Sequence, residues 1–476
     1  MESNNRSSIG RSTISQALDE TPLSLFHLRA MITAGMGFFT DAYDLFIIGT
    51  ATVLITKQWH LTSAETGLIN SMTLISAFVG AFLFGRIADI FGRKRIYGLE
   101  AVLMVIGAAA SAFSWNFASL IAFRFLLGIG IGGDYPVSAV LMSEYANRKD
   151  RGKLVGLVFS MQALGLVAGP IVGLILLSTG MPANIAWRLM LGLGALPALS
   201  VVYFRRRMPE SPRYESKVKG RVSKAITELT TYSDGAVSLD EVIAEVPRRM
   251  GLKAFLANKQ YLLYLIGTAG SWFLFDYAYY GNAVSTPLVV KSVLGAGKHP
   301  LTETLALSLL VFLIAAVPGY FLAAWLMDRI GHRRLQLIGF PLMGLAFLVI
   351  GVVPKLTTVV APFLIIYGIS YFFAEFGPNT TTFVLSAEVF PTSMRTTGHG
   401  ISAGVAKVGA FIGVYLFPIL SKDLGLSGTL IITAVFSAIG FLVTLVLPEP
   451  ARRAMGEVSA EDSLAPSATL AEASFG

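Results

Sequence analysis

One stretch of the sequence occurs twice in related form, and this repetition is the strongest indication of the fold. The first copy is GRIADIFGRKR, residues 85–95, and the second is DRIGHRR, residues 328–334. Each copy follows a long apolar segment and places an aspartate and a glycine before basic residues. The aspartates of the two copies, Asp89 and Asp328, are 239 residues apart. The spacing predicts that the chain consists of two similar halves.

Two further pairs of positions extend the repeat. Pro209 and Pro448, each followed by a glutamate, are also 239 residues apart. Glu144 and Glu388, each followed seven positions later by an arginine, are separated by 244 residues. Three pairs at almost one offset indicate an internal duplication, and duplicated halves are typical of membrane transport proteins.

The composition excludes most other classes of protein. Of the 476 residues, 54% are apolar and only 14% are charged, whereas soluble domains carry about 25% charged residues. The mean hydropathy is +0.66. Cysteine is absent, which excludes disulfides, thiolate catalysis and Cys-ligated zinc. The net charge of +8 fits basic loops of a membrane protein, and we do not expect nucleic-acid binding.

Apolar segments long enough to cross a bilayer, about 20 residues each, recur along the chain. They should be α-helices, because a segment in lipid must satisfy its backbone hydrogen bonds internally. The sequence therefore predicts an all-α polytopic membrane protein with twelve transmembrane helices in two pseudo-symmetric bundles of six. The predicted spans are 29–56, 66–87, 96–115, 118–142, 153–178, 187–205, 260–283, 304–327, 334–353, 360–388, 396–419 and 428–447.

The loops between these spans alternate in charge. One set is basic, with Arg93–Arg95, Arg148–Arg151, Arg205–Arg207 and His332–Arg334, and the other set is short and nearly neutral. The positive-inside rule places the basic loops and both termini in the cytoplasm, and we expect the plasma membrane as the location. The predicted units are a cytoplasmic tail, a six-helix bundle, a cytoplasmic linker, a second bundle and a second cytoplasmic tail, at residues 1–28, 29–205, 206–259, 260–447 and 448–476.

Several motifs carry a family resemblance. The runs DIFGRKR, RFLLGIG and PESPR, which begin at Asp89, Arg124 and Pro209, resemble motifs of the major facilitator superfamily. The runs GIGGDYPVS from Gly130 and FGPNTTT from Phe376 are similar to those of its phosphate:proton symporters. The resemblance covers roughly residues 30–450. It implies the twelve-helix fold, transport rather than enzyme activity, and inorganic phosphate and protons as the transported species.

Acidic residues within the predicted spans are candidates for proton coupling, because a charge at the bilayer centre costs about 2.5–3.5 kcal/mol or more. Asp41 and Asp44 are three positions apart and share a helix face, and the spacing does not separate a proton site from a structural polar pair. Asp134 follows a glycine-rich run, and the resemblance makes it a proton carrier. Glu100 could pass protons onward or extend to water. Glu375 could belong to the cavity or to a proton relay.

The predicted substrate site combines neutral donors with one acid. Trp272, Asp276 and Tyr280 are spaced at i, i+4 and i+8 and form one helix face, which packing alone could also explain. The resemblance implies that this face binds phosphate. Gln162 and Asn379 are further candidates, with an interhelical hydrogen bond as the alternative reading. Lys407 could supply positive charge to the cavity or form an ion pair with an acid. The resemblance makes Tyr135 a substrate contact.

The duplicated motifs predict charge networks at the cytoplasmic ends of the helices. Breaking such networks would let the two halves rock, although basic residues there could simply set the topology. His332 replaces the first basic residue in the second copy. The predicted pairs are Asp89 with Arg93, Glu144 with Arg151, Asp328 with Arg333, and Glu388 with Arg395.

The residues, taken with this resemblance, predict an alternating-access symporter for phosphate and protons. Aspartates also bind sodium, so the residues leave the coupling ion open. No ATPase-type phosphate loop occurs, and we predict neither a metal site nor a bound cofactor. The expected partners are phosphate, protons and the lipid bilayer, and a monomer suffices. The alternatives are transport of an organic anion or a sugar on the same fold, or a nutrient sensor with little transport.

Overall fold

The computed structural model describes residues 12–232, 242–243, 245–294 and 300–461. Parts of the predicted tails and linker, namely residues 1–11, 233–241, 244 and 462–476, lie outside the described residues. Twelve long helices form close to the predicted spans. They are α1 Leu25–Trp59, α2 Ser63–Phe91, α3 Arg93–Ala112, α4 Phe117–Tyr145, α5 Arg151–Ser178, α6 Ala183–Arg207, α7 Lys259–Val284, α8 Leu301–Ile330, α9 His332–Val352, α10 Val360–Glu388, α11 Arg395–Asp423 and α12 Gly425–Thr444.

The predicted all-α polytopic fold is confirmed. Eleven of the twelve helices are long and apolar enough to cross a membrane, and α7 is the exception. This helix contains Asp276, Asn282 and five tyrosines. Most of its side chains are buried against neighbouring helices, so little of its surface needs to be apolar for contact with lipid.

Shorter elements connect or flank the long helices. Two pairs of residues, Ser12–Thr13 and Val242–Ile243, form a parallel strand pair. The short helices are Ile14–Glu20, Pro212–Lys217, Val222–Tyr232, Leu252–Ala257, Thr286–Leu294 and Met455–Val458, and Pro354–Thr358 forms a 3₁₀-helix. Several helices begin at sequence-encoded caps. Thr62 and Glu65 form a capping box at the start of α2, in which the threonine hydroxyl accepts from the Glu65 amide at 3.2 Å.

The two halves, α1–α6 and α7–α12, meet along two pseudo-equivalent contacts. Helix α2 packs against α11, and α8, its counterpart in the second half, packs against α5. The α2–α11 contact requires glycine, because a Cβ atom on Gly85 would lie 2.7 Å from the carbonyl oxygen of Thr396. The end of the bundle where α2 ends and α11 begins is called the basic end below, because Arg93, Arg151 and Arg395 lie there.

Helix α10 bends in the middle. Its residues Glu375–Asn379 form a π-turn, and Gly377 leaves the helical region with φ −113° and ψ −108°. Pro378 adds to the irregularity, since it has no amide hydrogen to donate. Asn379, at the end of this turn, donates to the hydroxyl of Tyr320 on α8.

Candidate functional site between the two halves

Three side chains of the first half form one hydrogen-bonded cluster. The Tyr135 hydroxyl of α4 donates to Asp41 Oδ2 of α1 at 2.6 Å. The Gln162 amide of α5 donates to the same oxygen at 2.8 Å and to the Tyr135 hydroxyl at 3.0 Å. Three different helices thereby converge on one carboxyl oxygen.

The second half faces this cluster with a buried lysine. Lys407 of α11 donates to Asp276 Oδ2 at 3.1 Å and to the Tyr280 hydroxyl at 3.4 Å, both on α7. Its ammonium nitrogen also lies 4.6 Å from the centre of the Tyr135 ring, which brings the two halves together. Trp272 lies one turn from Asp276, and its ring centre is 5.9 Å from that of Tyr135.

A second connection between the halves runs through Tyr320 of α8. Its hydroxyl donates to Gln162 Oε1 at 3.1 Å and accepts from the Asn379 amide at 2.8 Å. Sequence reasoning missed Tyr320. The only signal was a tyrosine hydroxyl in an otherwise apolar run beside Pro318, which is also a common packing residue.

The cluster is buried away from water, and some of its oxygen atoms lack hydrogen-bond partners among the described residues. Each of its side chains is at most 2% exposed, so this arrangement is occluded. Asp41 Oδ1 and Asn379 Oδ1 are buried without a hydrogen-bond partner among the described residues. An unsatisfied buried polar atom costs about 1–3 kcal/mol, so these acceptors are suited to a ligand or a proton that completes them.

The structure separates the two aspartates that share a face of α1. Asp44 forms a double ion pair with Arg124 of α4, at 3.1 and 2.8 Å, and Arg124 also donates to Thr73. Asp41 instead lies in the central cluster. The partner therefore distinguishes residues that the sequence spacing leaves equivalent.

Asp134 and Glu100 lie away from the central cluster and share a partner. The Arg205 guanidinium is 2.6 and 3.0 Å from the two oxygens of Asp134, and its Nη1 is 3.0 Å from Glu100 Oε1. Ser138 also donates to Asp134 at 2.6 Å. The sequence assigned Arg205 to a basic loop, but its side chain is completely buried. Its position as the first of three arginines directly after an apolar run was the available signal.

At the basic end, two aspartates cap helices of the opposite half. Asp89 of α2 accepts hydrogen bonds from the backbone amides of Thr396 and Thr397, at 3.3 and 2.6 Å, at the start of α11. Asp328 of α8 accepts from the amides of Gly152 and Lys153, at 3.0 and 2.6 Å, at the start of α5. A carboxylate at a helix N-terminus is stabilised by free amides and by the helix dipole.

The ion pairs at the basic end differ in part from the predicted pairs. Arg93 lies 3.1 Å from Asp89, as the spacing suggests, and also 3.2 Å from Glu144. Glu144 does not pair with Arg151. It pairs with Arg395 of the second half at 3.0 Å. The predicted pair of Glu388 with Arg395 is also absent, because Glu388 pairs with His332. Sequence spacing favours partners on nearby turns, whereas Glu144 and Arg395 pair between the halves.

The second copy uses its histidine where the first copy uses an arginine. His332 lies 2.9 Å from Glu388 and 3.2 Å from Asp328. The predicted Asp328–Arg333 pair is absent, because Arg333 points outward and donates to the carbonyl of Leu445 at 2.8 Å. His332 therefore occupies the position equivalent to Arg93.

The segments flanking the bundle reinforce the same end. Arg151 lies 2.7 Å from Asp19 of the helix Ile14–Glu20, and Arg213 lies at the same distance from Asp19. Burial opposes the charge of Asp19, but Arg213 and Arg151 outweigh it and lower the pKa of this carboxyl. Burial likewise opposes the charge of Glu461, and Lys217 and Arg395 lower its pKa.

Comparison with known proteins places this arrangement in context. Residues 30–460 match the sequence profile of the family described as "Sugar (and other) transporter". "Inorganic phosphate transporter 1-11" of Oryza sativa subsp. japonica is 35% identical, over 94% of this chain and 90% of that protein. "Low affinity inorganic phosphate transporter 3" of Petunia hybrida is 34% identical, over 94% of each chain.

Solved structures show the same fold. The proton:xylose symporter XylE, of the major facilitator superfamily, bound to 6-bromo-6-deoxy-D-glucose, superimposes with a TM-score of 0.76 at 18% identity, over 92% of this chain and all of that one. The human organic anion transporter MFSD10 gives a TM-score of 0.63 at 15% identity, over 88% and 99% of the two chains.

Proposed function

The chain belongs to the sugar (and other) transporter family of the major facilitator superfamily, and from this premise we propose that it imports inorganic phosphate together with protons. It is a multi-pass membrane transporter and not an enzyme. The names of relatives at 33–35% identity, which cover nearly the whole chain, support phosphate as the substrate.

The chemistry of the central cluster supports an anion as the substrate. The observation that carries this proposal is Lys407, the one lysine or arginine side chain of the described residues that lies at this cluster. Phosphate would accept hydrogen bonds from Lys407 and from Tyr135, Tyr280 and the amides of Gln162 and Asn379. Its remaining hydroxyl groups would donate to a carboxylate such as Asp276. Trp272 adds an indole donor beside Asp276.

The absence of an arginine from this set favours release of the ion. An arginine holds phosphate through two parallel hydrogen bonds, whereas a lysine is a single point charge. Lys407 already pairs with Asp276, so phosphate must compete for it. A site of this kind would bind monovalent phosphate and release it when the halves separate.

Proton coupling is proposed to begin at Asp41. This carboxyl has no ion-pair partner within the described residues, although Lys407 acts on it across the site. A proton on Asp41 would remove a negative charge next to the incoming anion. Asp134, Glu100 and Arg205 would continue the path, because a proton on Asp134 weakens its ion pair and leaves Arg205 with Glu100. Asp44 is assigned to structure rather than to the proton path, because Arg124 neutralises it.

The basic end is proposed to face the cytoplasm of a cell whose plasma membrane holds the protein. The caps formed by Asp89 and Asp328, and the ion pairs of Glu144 and His332, would hold this end closed while phosphate enters from outside. Their separation would let the halves rock and release phosphate and protons inward. Each chain contains a whole site, so a monomer suffices.

Another solute on the same fold is the second candidate, because the matching family is described by sugars and two structural neighbours carry a sugar and an organic anion. The test is counterflow in proteoliposomes preloaded with phosphate. We expect unlabelled phosphate to exchange with labelled phosphate, and xylose and carboxylic acids not to compete. Exchange of xylose without exchange of phosphate would replace the proposal with this second candidate.

A matched pair of variants ties that exchange to the site. Trp272→Phe removes an indole donor at the cluster and should reduce phosphate exchange. Trp187→Phe removes a similarly buried indole, which donates to Gln58 at 2.9 Å and lies in a separate apolar core, and it should leave exchange near the wild-type rate. Equal losses in both variants would argue against the assigned site.

A further inference from the structure

Buried carboxyl groups within the long helices fall into two classes in the described part of the chain. Eight of them form ion pairs with arginine, lysine or histidine at 3.2 Å or less, and two do not. The paired groups are Asp44, Asp89, Glu100, Asp134, Glu144, Asp276, Asp328 and Glu388. The two without an ion-pair partner are Asp41 and Glu375.

Within the described part of the chain, no lysine, arginine or histidine forms an ion pair with Glu375. Its side chain is completely buried, and the Asn379 amide donates to its Oε2 at 2.5 Å. The hydroxyls of Tyr279 on α7 and Tyr320 on α8 face the same carboxyl, and Tyr371 of α10 lies nearby. The charged group that acts on it from α7 is Asp276, which is also acidic.

An isolated negative charge is unfavourable in such a position. Removing an ion from water without a counter-charge costs several kcal/mol, and groups of this kind take up a proton instead. Oε1 of Glu375 makes no hydrogen bond of good geometry to a described residue and is the atom on which a proton would reside. The occluded arrangement therefore favours the neutral form of Glu375.

A continuous chain of hydrogen bonds links the two carboxyls that lack ion pairs. It runs from Glu375 to Asn379 at 2.5 Å, on to Tyr320 at 2.8 Å, to Gln162 at 3.1 Å, and to Asp41 at 2.8 Å. The chain crosses from the second half to the first through residues of the proposed phosphate site. Phosphate binding at this site would therefore change the hydrogen bonding of both Asp41 and Glu375.

The backbone at Glu375 is also unusual. This residue opens the π-turn Glu375–Asn379, in which Gly377 is not helical. π-turns within α-helices occur frequently at functional sites. Asn379, at the other end of this turn, donates to both Glu375 and Tyr320, so the irregular backbone lies directly at the hydrogen-bonded chain.

We propose that Glu375 is a second proton-carrying residue, so that one phosphate enters with two protons, one on Asp41 and one on Glu375. This inference rests on the proposed phosphate transport. Each carboxylate binds one proton from the outer side and releases it to the cytoplasm. Monovalent phosphate carries one negative charge, so each cycle moves one net positive charge inward.

The test is the charge carried per phosphate in proteoliposomes, with the pH gradient and the membrane potential imposed separately. We expect wild-type uptake to respond to both. Glu375→Gln keeps an oxygen that accepts from Asn379 but binds no proton, so its uptake should respond to the pH gradient and lose its response to an inside-negative potential. Glu375→Asp, the matched control, keeps a titratable group and should retain the response to potential.

The outcomes separate this inference from the proposed function. Wild-type protein that transports no phosphate overturns both. Phosphate uptake with the same charge per phosphate in wild type and Glu375→Gln overturns the role of Glu375 alone, as does electroneutral wild-type uptake.

Should Glu375→Gln not transport, phosphate binding in detergent at several pH values decides the question. If phosphate binding to the variant takes up one proton fewer than binding to wild type at the same pH, the proposal is supported. An unchanged pH dependence overturns it.

Discussion

Arg205 and Asp134 form a double ion pair in the interior of the first half, with nitrogen–oxygen distances of 2.6 and 3.0 Å. Glu100 shares the same guanidinium at 3.0 Å. One cation therefore serves two carboxylates that the sequence presents as separate proton sites. A proton can be carried by either acid while Arg205 keeps a partner, which is how a buried ion cluster can change protonation without leaving an unpaired charge.

The first prediction concerns this cluster. Asp134→Asn should fold, because Glu100 still neutralises Arg205, but its phosphate uptake should respond less steeply to the proton gradient than wild type, because only the proton on Glu375 still moves, while counterflow persists. Arg205→Met should be less stable by about 3–5 kcal/mol, because it leaves two buried acids without a cation. Thermal unfolding and gradient-driven uptake measure the two effects. Unchanged pH dependence in Asp134→Asn would remove Asp134 from the proton path.

The second prediction compares the two aspartates of α1. Asp44→Asn should destabilise the protein by about 3–5 kcal/mol, because it strips Arg124 of its counter-charge inside the membrane. Asp41→Asn leaves no cation unpaired and should change stability little, but it should reduce proton-driven accumulation, because only the proton on Glu375 remains coupled. The same pair of measurements on both variants provides the control. The reverse pattern would assign the proton to Asp44.

The third prediction concerns Lys407. Lys407→Met removes a charged donor worth about 1.5–3 kcal/mol, so phosphate should bind about 10- to 100-fold more weakly. The double variant Lys407→Met/Asp276→Asn should recover the stability lost with the ion pair but not the affinity. Calorimetric binding and thermal unfolding test this. Wild-type affinity in either variant would mean that phosphate binds elsewhere.

The fourth prediction uses the absence of cysteine to follow the basic end. A single Ser143→Cys probe lies between the halves, where the serine hydroxyl donates to the carbonyl of Ala387 at 3.3 Å. Asp89→Ala removes a helix cap worth about 1–2 kcal/mol and should increase the open population, and hence maleimide labelling, about 5- to 30-fold.

Glu457→Ala is the control for that labelling. Glu457 is also acidic and pairs with Arg453, but both side chains of this pair are exposed and the pair caps no helix of the opposite half. Its removal should leave labelling unchanged. A similar increase in both variants would show that loss of charge, rather than loss of the cap, opens the basic end.

The fifth prediction concerns pH. Although burial opposes its charge, Arg213 and Arg151 hold the pKa of Asp19 below its ordinary value of about 3.9. A lowered pKa contributes stability above that ordinary value, and the contribution is lost only as pH falls through the lower one. Asp19→Asn should therefore be less stable than wild type by the same amount at pH 5 and pH 8. A difference that changes between these pH values would mean that Asp19 titrates there.

The sequence was sufficient to predict the helices, because each span is a local property of about 20 residues. Even α7 was predicted, although its polar face makes it less apolar than the other spans. The internal repeat predicted two halves, and the α2–α11 and α5–α8 contacts are consistent with it.

Partners across the bundle could not be predicted in the same way. Glu144 pairs with Arg395 and Arg151 with Asp19, and both pairs join residues far apart in the chain. Spacing along the sequence gives no information on such contacts. It indicates only partners on nearby turns, such as Arg151 for Glu144. Arg205 and Tyr320 were missed for a related reason, since their types and positions are also typical of a loop and of packing.

Accumulation of radiolabelled phosphate in proteoliposomes of the pure protein is the most direct test of the central claim. An inward proton gradient is imposed without sodium, and a proton uncoupler is added in parallel. Proton-coupled phosphate import should give uptake above equilibrium that the uncoupler abolishes. No phosphate accumulation, by protein shown to exchange another solute, would contradict it.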